Sequence, residues 1–300
     1  MARANSSSPI DPTLIISHKF PEVSFSYSER DVAIYALGVG ACAGNAVDEK
    51  ELKYVYARDG QQFIQVLPTF GSLFPFKNTN GLALSDVPSL DFDPRLLLHA
   101  QQYIEIYKPF PSNCTVKNKT TIAGLHDKGV FLSLVYSLLA SIAKFFRNYT
   151  SSLHTTYLRG AGGFSKSSKP YSYASYPADQ VSFVSVPKQK PSVIHEDRTQ
   201  QSQALLYRLS GDYNPLHSDP MIASIAGFNR PILHGLCTLG FAVRAIITSV
   251  CEGDPNAVRS IFGRFLLHVF PGESLITEMW IQGQRYLNHS YNLLLFSLVL

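Results

Sequence analysis

The chain has 300 residues, of which 45% are hydrophobic and 16% charged. That allows one large domain or two of about 150 residues, and it excludes a disordered chain. The net charge of +4 is mild and scattered, with no basic stripe carrying interleaved aromatics, which excludes nucleic acid as the expected partner.

The N-terminus, MARANSSSPIDPTLI, has no apolar h-region, so no secretory signal is expected. Cys42, Cys114, Cys237 and Cys251 form no CxxC pair, which argues against structural zinc and for reduced thiols. In YSERDVAIYALGVGA, Ser28 is placed to cap a helix with Glu29, Arg30 and Asp31 in its first turn. Val32, Ile34, Tyr35, Leu37 and Val39 carry that helix on to glycines. KYVYA (53–57) and FIQVL (63–67) read as short strands, and Pro and Gly dominate 68–94. LLLHAQQYIEIYKPFP (96–111) ends in an alternating pattern and reads as a strand. The apolar run GVFLSLVYSLLASIAKFF (129–146) is interrupted by Lys144. What remains is shorter than the ~20 residues a membrane span needs, so a buried element is expected.

Residues 159–180 are rich in Gly, Ser, Tyr and Pro without apolar period and read as a linker between two halves. The second half restarts near residue 190. TQQSQALLYRLSGD reads as a helix closed by Gly211. Residues 234–251 are apolar almost all round except Arg244, the pattern of a buried helix. Residues 261–284 read as two strands separated by the Pro271-Gly272 turn. The halves echo each other faintly: AIYALGVG (33–40) lies over LLYRLSGD (205–212), Tyr35 over Tyr207, with Gly40 where the second copy has Asp212.

Residues 208–220, RLSGDYNPLHSDP, place an Asp, an Asn and a His within six residues around a proline. Turn chemistry alone accounts for Gly211, Asp212, Asn214 and Pro215, and His217 alone could be an ordinary loop histidine. Pro215 disfavours helical geometry at Asn214, so 212–217 is expected to be an extended overhang that lets Asp212 and His217 converge. A carboxylate and a neutral imidazole that hold one water can take its proton and return one to a substrate. In RPILHGL (230–236) His234 and Gly235 open the buried helix. The Gly235 N–H could meet a developing oxyanion there, or the glycine could serve close packing only. The nucleophile motif GxSxG is absent.

YRLSGDYNPLHSDP (207–220) and AGFNRPILHGLCTLGFAVRAI (226–246) resemble the hydratase-2 motif of the R-specific (MaoC-like) enoyl-CoA hydratases, in particular the peroxisomal type 2 enzymes of plants. The resemblance is specific over 195–285 and extends over 14–128, with LLLHAQQYIEIYKP and LRGAGGFS included. It implies an α+β double hotdog, in which each half wraps a curved antiparallel sheet around a long helix. Residues 1–165 would be a degenerate hotdog that makes room for long acyl chains, 166–189 a linker and 190–300 the catalytic hotdog. Asp212 and His217 would add water to a trans-2-enoyl-CoA, giving the (3R)-3-hydroxyacyl-CoA of peroxisomal fatty-acid β-oxidation. Asn214 would order the site and Gly235 would polarise the thioester carbonyl. His99, Ala100, Lys128, Tyr213, Pro215, Leu216 and Phe265 would surround the acyl-CoA. The family usually has Gly where this chain has Ala100. No metal or cofactor is implied, acyl-CoA is the expected partner, and a homodimer is the expected assembly.

Two segments depart from the family. Residues 129–157 are apolar where alternating strands are usual, and 285–300 replace further strands. Both read as inserted or misread, and the second is expected to delete the closing strands of the catalytic half, leaving an exposed edge. The chain ends Leu298-Val299-Leu300 rather than in the SKL-like tripeptide of peroxisomal import. Two other readings stand beside the hydratase. One is a hotdog thioesterase, which would not require the Asn-Pro-x-His. The other is an inactive acyl-CoA-binding protein whose altered C-terminus cannot hold Asp212 and His217 in register, since a shift of ~1 Å costs about 10²-fold in rate.

Overall fold

The computed structural model describes residues 10–76, 84–142, 147–181, 186–282, 285–290 and 294–299. Lys144 lies outside them. In chain order the elements are α1 (Pro12–Ser17), β1 (Val23–Tyr27), α2 (Glu29–Gly38), α3 (Glu49–Leu52), β2 (Leu97–Ile106), β3 (Cys114–Asp127), β4 (Phe131–Ile142), β5 (Arg147–Arg159) and β6 (Ser172–Ala174). The second half holds β7 (Val193–Arg198), α4 (Gln203–Arg208), α5 (Pro220–Ile225), α6 (Gly235–Val250), β8 (Ser260–Phe265), β9 (Ser274–Gln282), β10 (Arg285–Ser290) and β11 (Leu294–Val299). All eleven strands belong to one sheet in the order β1-β3-β4-β5-β2-β8-β11-β10-β9-β7, with β6 added on β3. The halves meet where β2 pairs antiparallel with β8, Gln101 opposite Arg264 through Glu105 opposite Ser260.

Local chemistry explains the helices. Ser28 caps α2, and the Asp31 carboxylate accepts from both the N–H and the hydroxyl of Ser28 at 3.0 Å. α2 ends near Gly40, whose φ of +83° suits glycine and whose missing Cβ leaves space for the Phe241 ring, which one would meet at 2.2 Å. α6 is buried on nearly every side, as its composition requires. In the first half the corresponding apolar stretch, Pro68–Phe76, is 3₁₀ helix containing Pro75, so among the described residues the long central helix is α6 of the second half. α6 and this 3₁₀ stretch pack together in one core that spans both halves.

Two buried charges, Arg244 and Glu51, and the half-buried Asp197 tie α6 to its surroundings. Arg244, 2% exposed, donates to the carboxylates of Glu51 and Asp197 and to the carbonyl of Val39. Asp197 also meets His195 at 3.3 Å. Burial works to raise the Asp197 carboxyl, but His195 and Arg244 hold it below its ordinary value.

The strand expectations fail at four places. KYVYA and FIQVL form a helix end, turns and irregular backbone. Their Tyr54, Ile64, Val66 and Leu67 are buried in the core instead of pairing in a ladder, and β-type residues suit any tight burial. Residues 131–142 and 147–159 are not insertions: they are β4 and β5, paired in register at the centre of the first half's sheet. β4 is a near-continuous apolar run because both its faces are covered, by the core on one side and by Tyr103 and Tyr176 on the other. Within the expected linker, β6 pairs with β3 and Ser175 donates its N–H to the Ala123 carbonyl. Residues 285–290 and 294–299 do not delete the closing strands. As β10 and β11 they fill the sheet between β9 and β8, so the two strands around Pro271-Gly272 are not direct neighbours.

Candidate active site

The polar cluster of 212–219 is built by short-range caps. Asn214 is extended, with ψ of 121°, as the following proline demands. The chain then makes one 3₁₀ turn, Pro215–His217, rather than staying extended throughout. Asn214 Oδ1 caps that turn by accepting from the Leu216 N–H at 3.0 Å. Asp219 caps α5 by accepting from Met221 and Ile222, so the second Asp of the motif is accounted for by helix chemistry.

The turn and the start of α6 bring Asp212, His217 and His234 together, each with one ligand-type atom within 4.8 Å of the others. This spacing fits a water bonded to two of them, and the same three groups could also hold a metal ion. His217 Nδ1 lies 2.9 Å from the Ile232 carbonyl. A carbonyl only accepts, so the neutral ring carries its hydrogen on Nδ1 and keeps the Nε2 lone pair free. Burial pushes the His217 imidazolium below its ordinary pKa against the pull of Asp212, and burial raises the Asp212 carboxyl against the pull of His217.

These groups stand on the wall of a cavity of about 800 Å³. Gly235, first residue of α6, lies there with its N–H free of any intrahelical partner. A Cβ at Gly235 would come within 3.0 Å of the Phe265 ring, so the glycine opens the approach to that N–H. Opposite, β2 has a bulge between His99 and Gln101 that sets Ala100 unpaired; such bulges re-aim side chains beside sites. His99 donates its Nε2–H to the Gln101 carbonyl at 3.0 Å. Its burial, only partly offset by that bond, lowers its pKa to about 4.

Of the residues singled out from the sequence, Asp212, Tyr213, Asn214, Pro215, Leu216, His217, Gly235, His99, Ala100 and Phe265 all line this cavity. Lys128 does not: it is exposed in the turn between β3 and β4. Tyr136, Thr156 and Tyr157 also line the cavity. They come from β4 and β5, whose composition resembled an insertion, and nothing in the local sequence pointed to them. The Tyr136 ring stacks on His154 with centroids 4.8 Å apart, and burial and the charge of Asp212 both push its hydroxyl pKa up. No described helix is long and apolar enough to cross a membrane.

Comparison with known proteins places the chain. Residues 25–160 match the family described as MFE-2 hydratase 2 N-terminal domain, and 182–292 match the MaoC like domain. Over 283 residues, 94% of this chain and 91% of its relative, it is 57% identical to "Enoyl-CoA hydratase 2, peroxisomal" of Arabidopsis thaliana. The solved MaoC-like dehydratase of Phytophthora capsici superposes with a TM-score of 0.79 at 29% identity, covering 97% of this chain and 98% of that one. A Mycobacterium tuberculosis protein with a double hotdog fold superposes at 0.57 and 12% identity over 94% of this chain and 96% of that one, a likeness of fold alone. The chain therefore belongs to the enoyl-CoA hydratase 2 family and has its double hotdog fold.

Proposed function

We propose that this chain hydrates trans-2-enoyl-CoA thioesters to (3R)-3-hydroxyacyl-CoA in peroxisomal fatty-acid β-oxidation, as a hydro-lyase. The observation that carries it is the convergence of Asp212 and His217 on one wall of a cavity large enough for an acyl thioester. His217 Nε2 takes a proton from water as the oxygen adds to C3. The electron pair of the double bond moves onto the thioester, where the Gly235 N–H and the positive end of α6 meet the developing enolate. The imidazolium then gives that proton to C2, so one water is added in full. The Asp212 carboxylate orients the water and stabilises the transient imidazolium. Asn214 orders the turn, and His99, Ala100, Tyr213, Pro215, Leu216 and Phe265 contact the acyl thioester, with Lys128 outside the cavity as a contact for the CoA part.

The Arabidopsis relative is named peroxisomal, which supports the same compartment here. A homodimer belongs to the same reading. The test is hydration of trans-2-decenoyl-CoA by the 300-residue chain, followed by loss of the enoyl absorbance and by the chirality of the product. Formation of the (3R) alcohol, reduced at least about 10²-fold in Asp212→Asn, is expected. A folded chain that gives no product sinks the reading.

A further inference from the structure

One buried side chain touches both members of the catalytic pair. The ring of His234 stacks on that of His217, centroids 3.7 Å apart and planes 30° from parallel. Its Nε2 lies 3.2 Å from the backbone carbonyl of Asp212. The carbonyl accepts, so the hydrogen is on Nε2. On its other side the ring meets Tyr207 at 4.8 Å between centroids, and the residue is 1% exposed.

We propose that His234 is a positioning residue for the hydration, a brace that holds the ring of His217 and the backbone of Asp212 at a common spacing. This rests on the hydratase reading above. Asp212 follows Gly211, whose φ is +129°, and it lies in no helix or strand. Its segment needs an outside support to stay within the ~0.5 Å that a catalytic pair tolerates. The support is 232–234: the Ile232 carbonyl fixes the His217 tautomer, and His234 covers its face and ties Asp212. That segment runs straight into α6, where Leu239, Ala245 and Ile246 are fully buried, so the brace is anchored in a core helix. Asp212, His217 and Arg208 are the charged or titratable groups acting on the ring, with the Tyr207 ring against it. Burial first, then His217, keeps His234 neutral, which suits a brace rather than a second acid or base.

Three variants separate the two contacts. His234→Gln keeps a donor near the position of Nε2 and loses the stacked ring; His234→Phe keeps a ring and loses the donor; His234→Ala loses both. With trans-2-decenoyl-CoA, kcat is expected to fall about 10-fold in the Gln and Phe variants and about 10²-fold in the Ala variant. KM should stay within about twofold. The imidazole ¹⁵N shifts of His217 give a readout without turnover: one Nδ1–H tautomer in the parent and an average of two in the Ala variant. Full kcat in both the Gln and Phe variants, a kcat loss that only follows loss of folded protein, or a single tautomer kept in the Ala variant overturns the proposal. Should the Ala variant not fold, the Gln and Phe variants carry the same test. An inactive parent whose His217 tautomer still depends on His234 sinks the hydratase reading and leaves the brace standing.

Discussion

At Asp212 and His217, burial and mutual attraction act in opposite directions. Burial raises the carboxyl from 3.8 and lowers the imidazolium from 6.5, and each charge partly undoes the shift of the other. In the proposed hydration the pair works with both groups unprotonated and titrates as a unit. As pH falls, the first proton disables it, so kcat/KM should fall on the acid side. A pH–rate profile checks this, and a rate that stays level into strong acid would contradict it. Gly235 makes a second residue-level case. In Gly235→Ala the new methyl meets the Phe265 ring at 3.0 Å, and kcat should drop about 10- to 10²-fold as the thioester is held away from the N–H. Adding Phe265→Leu should restore part of that loss; no recovery would mean that the glycine matters for some other reason.

Among the elements, α6 has a double duty. It presents Gly235 at one end and, about two and a half turns on, inserts Arg244 between Glu51 and Asp197. Arg244→Met leaves those carboxylates buried without their cation and should cost about 3–5 kcal/mol of stability. The pH dependence should also weaken. In the parent the lowered Asp197 carboxyl adds stability that is present above its unfolded pKa and lost as acid protonates it. In the variant only His195 still opposes burial, so this stabilisation shrinks and the loss of stability with acid should be smaller. Thermal melting of both proteins across pH checks this, and parallel curves would mean that the ion pairs contribute little.

For the whole molecule, β10 and β11 decide whether the sheet of the second half is closed. Their backbones join β9 to β8, and Leu298 is fully buried in the core shared by both halves. A chain ending at residue 282 should expose two unpaired strand edges, and aggregation in light scattering is the expected outcome. A monodisperse, active truncated chain would show that these strands are dispensable.

Sequence alone was sufficient for the parts that depend on near neighbours. The Ser28 cap, the buried helix with its single Arg244, β2 and the extended backbone of Asn214 before its proline all follow from residues a few positions apart, while the 3₁₀ turn over Pro215–His217 does not. Asp212, Asn214, His217 and Gly235 are also legible as candidates, since they sit close together in the sequence, and the fold brings all four to one cavity. Tertiary structure decided the rest. Whether 131–142 and 285–299 were strands depended on which partners covered their edges and faces, and an apolar run carries the same composition whether it is inserted or central in a sheet. Tyr136 enters the cavity only through the pairing of β4 with β5, and Lys128 stays out of it because a hairpin turn points to solvent. His234 was visible as a residue but not as a brace, since stacking on His217 requires two segments to meet in space.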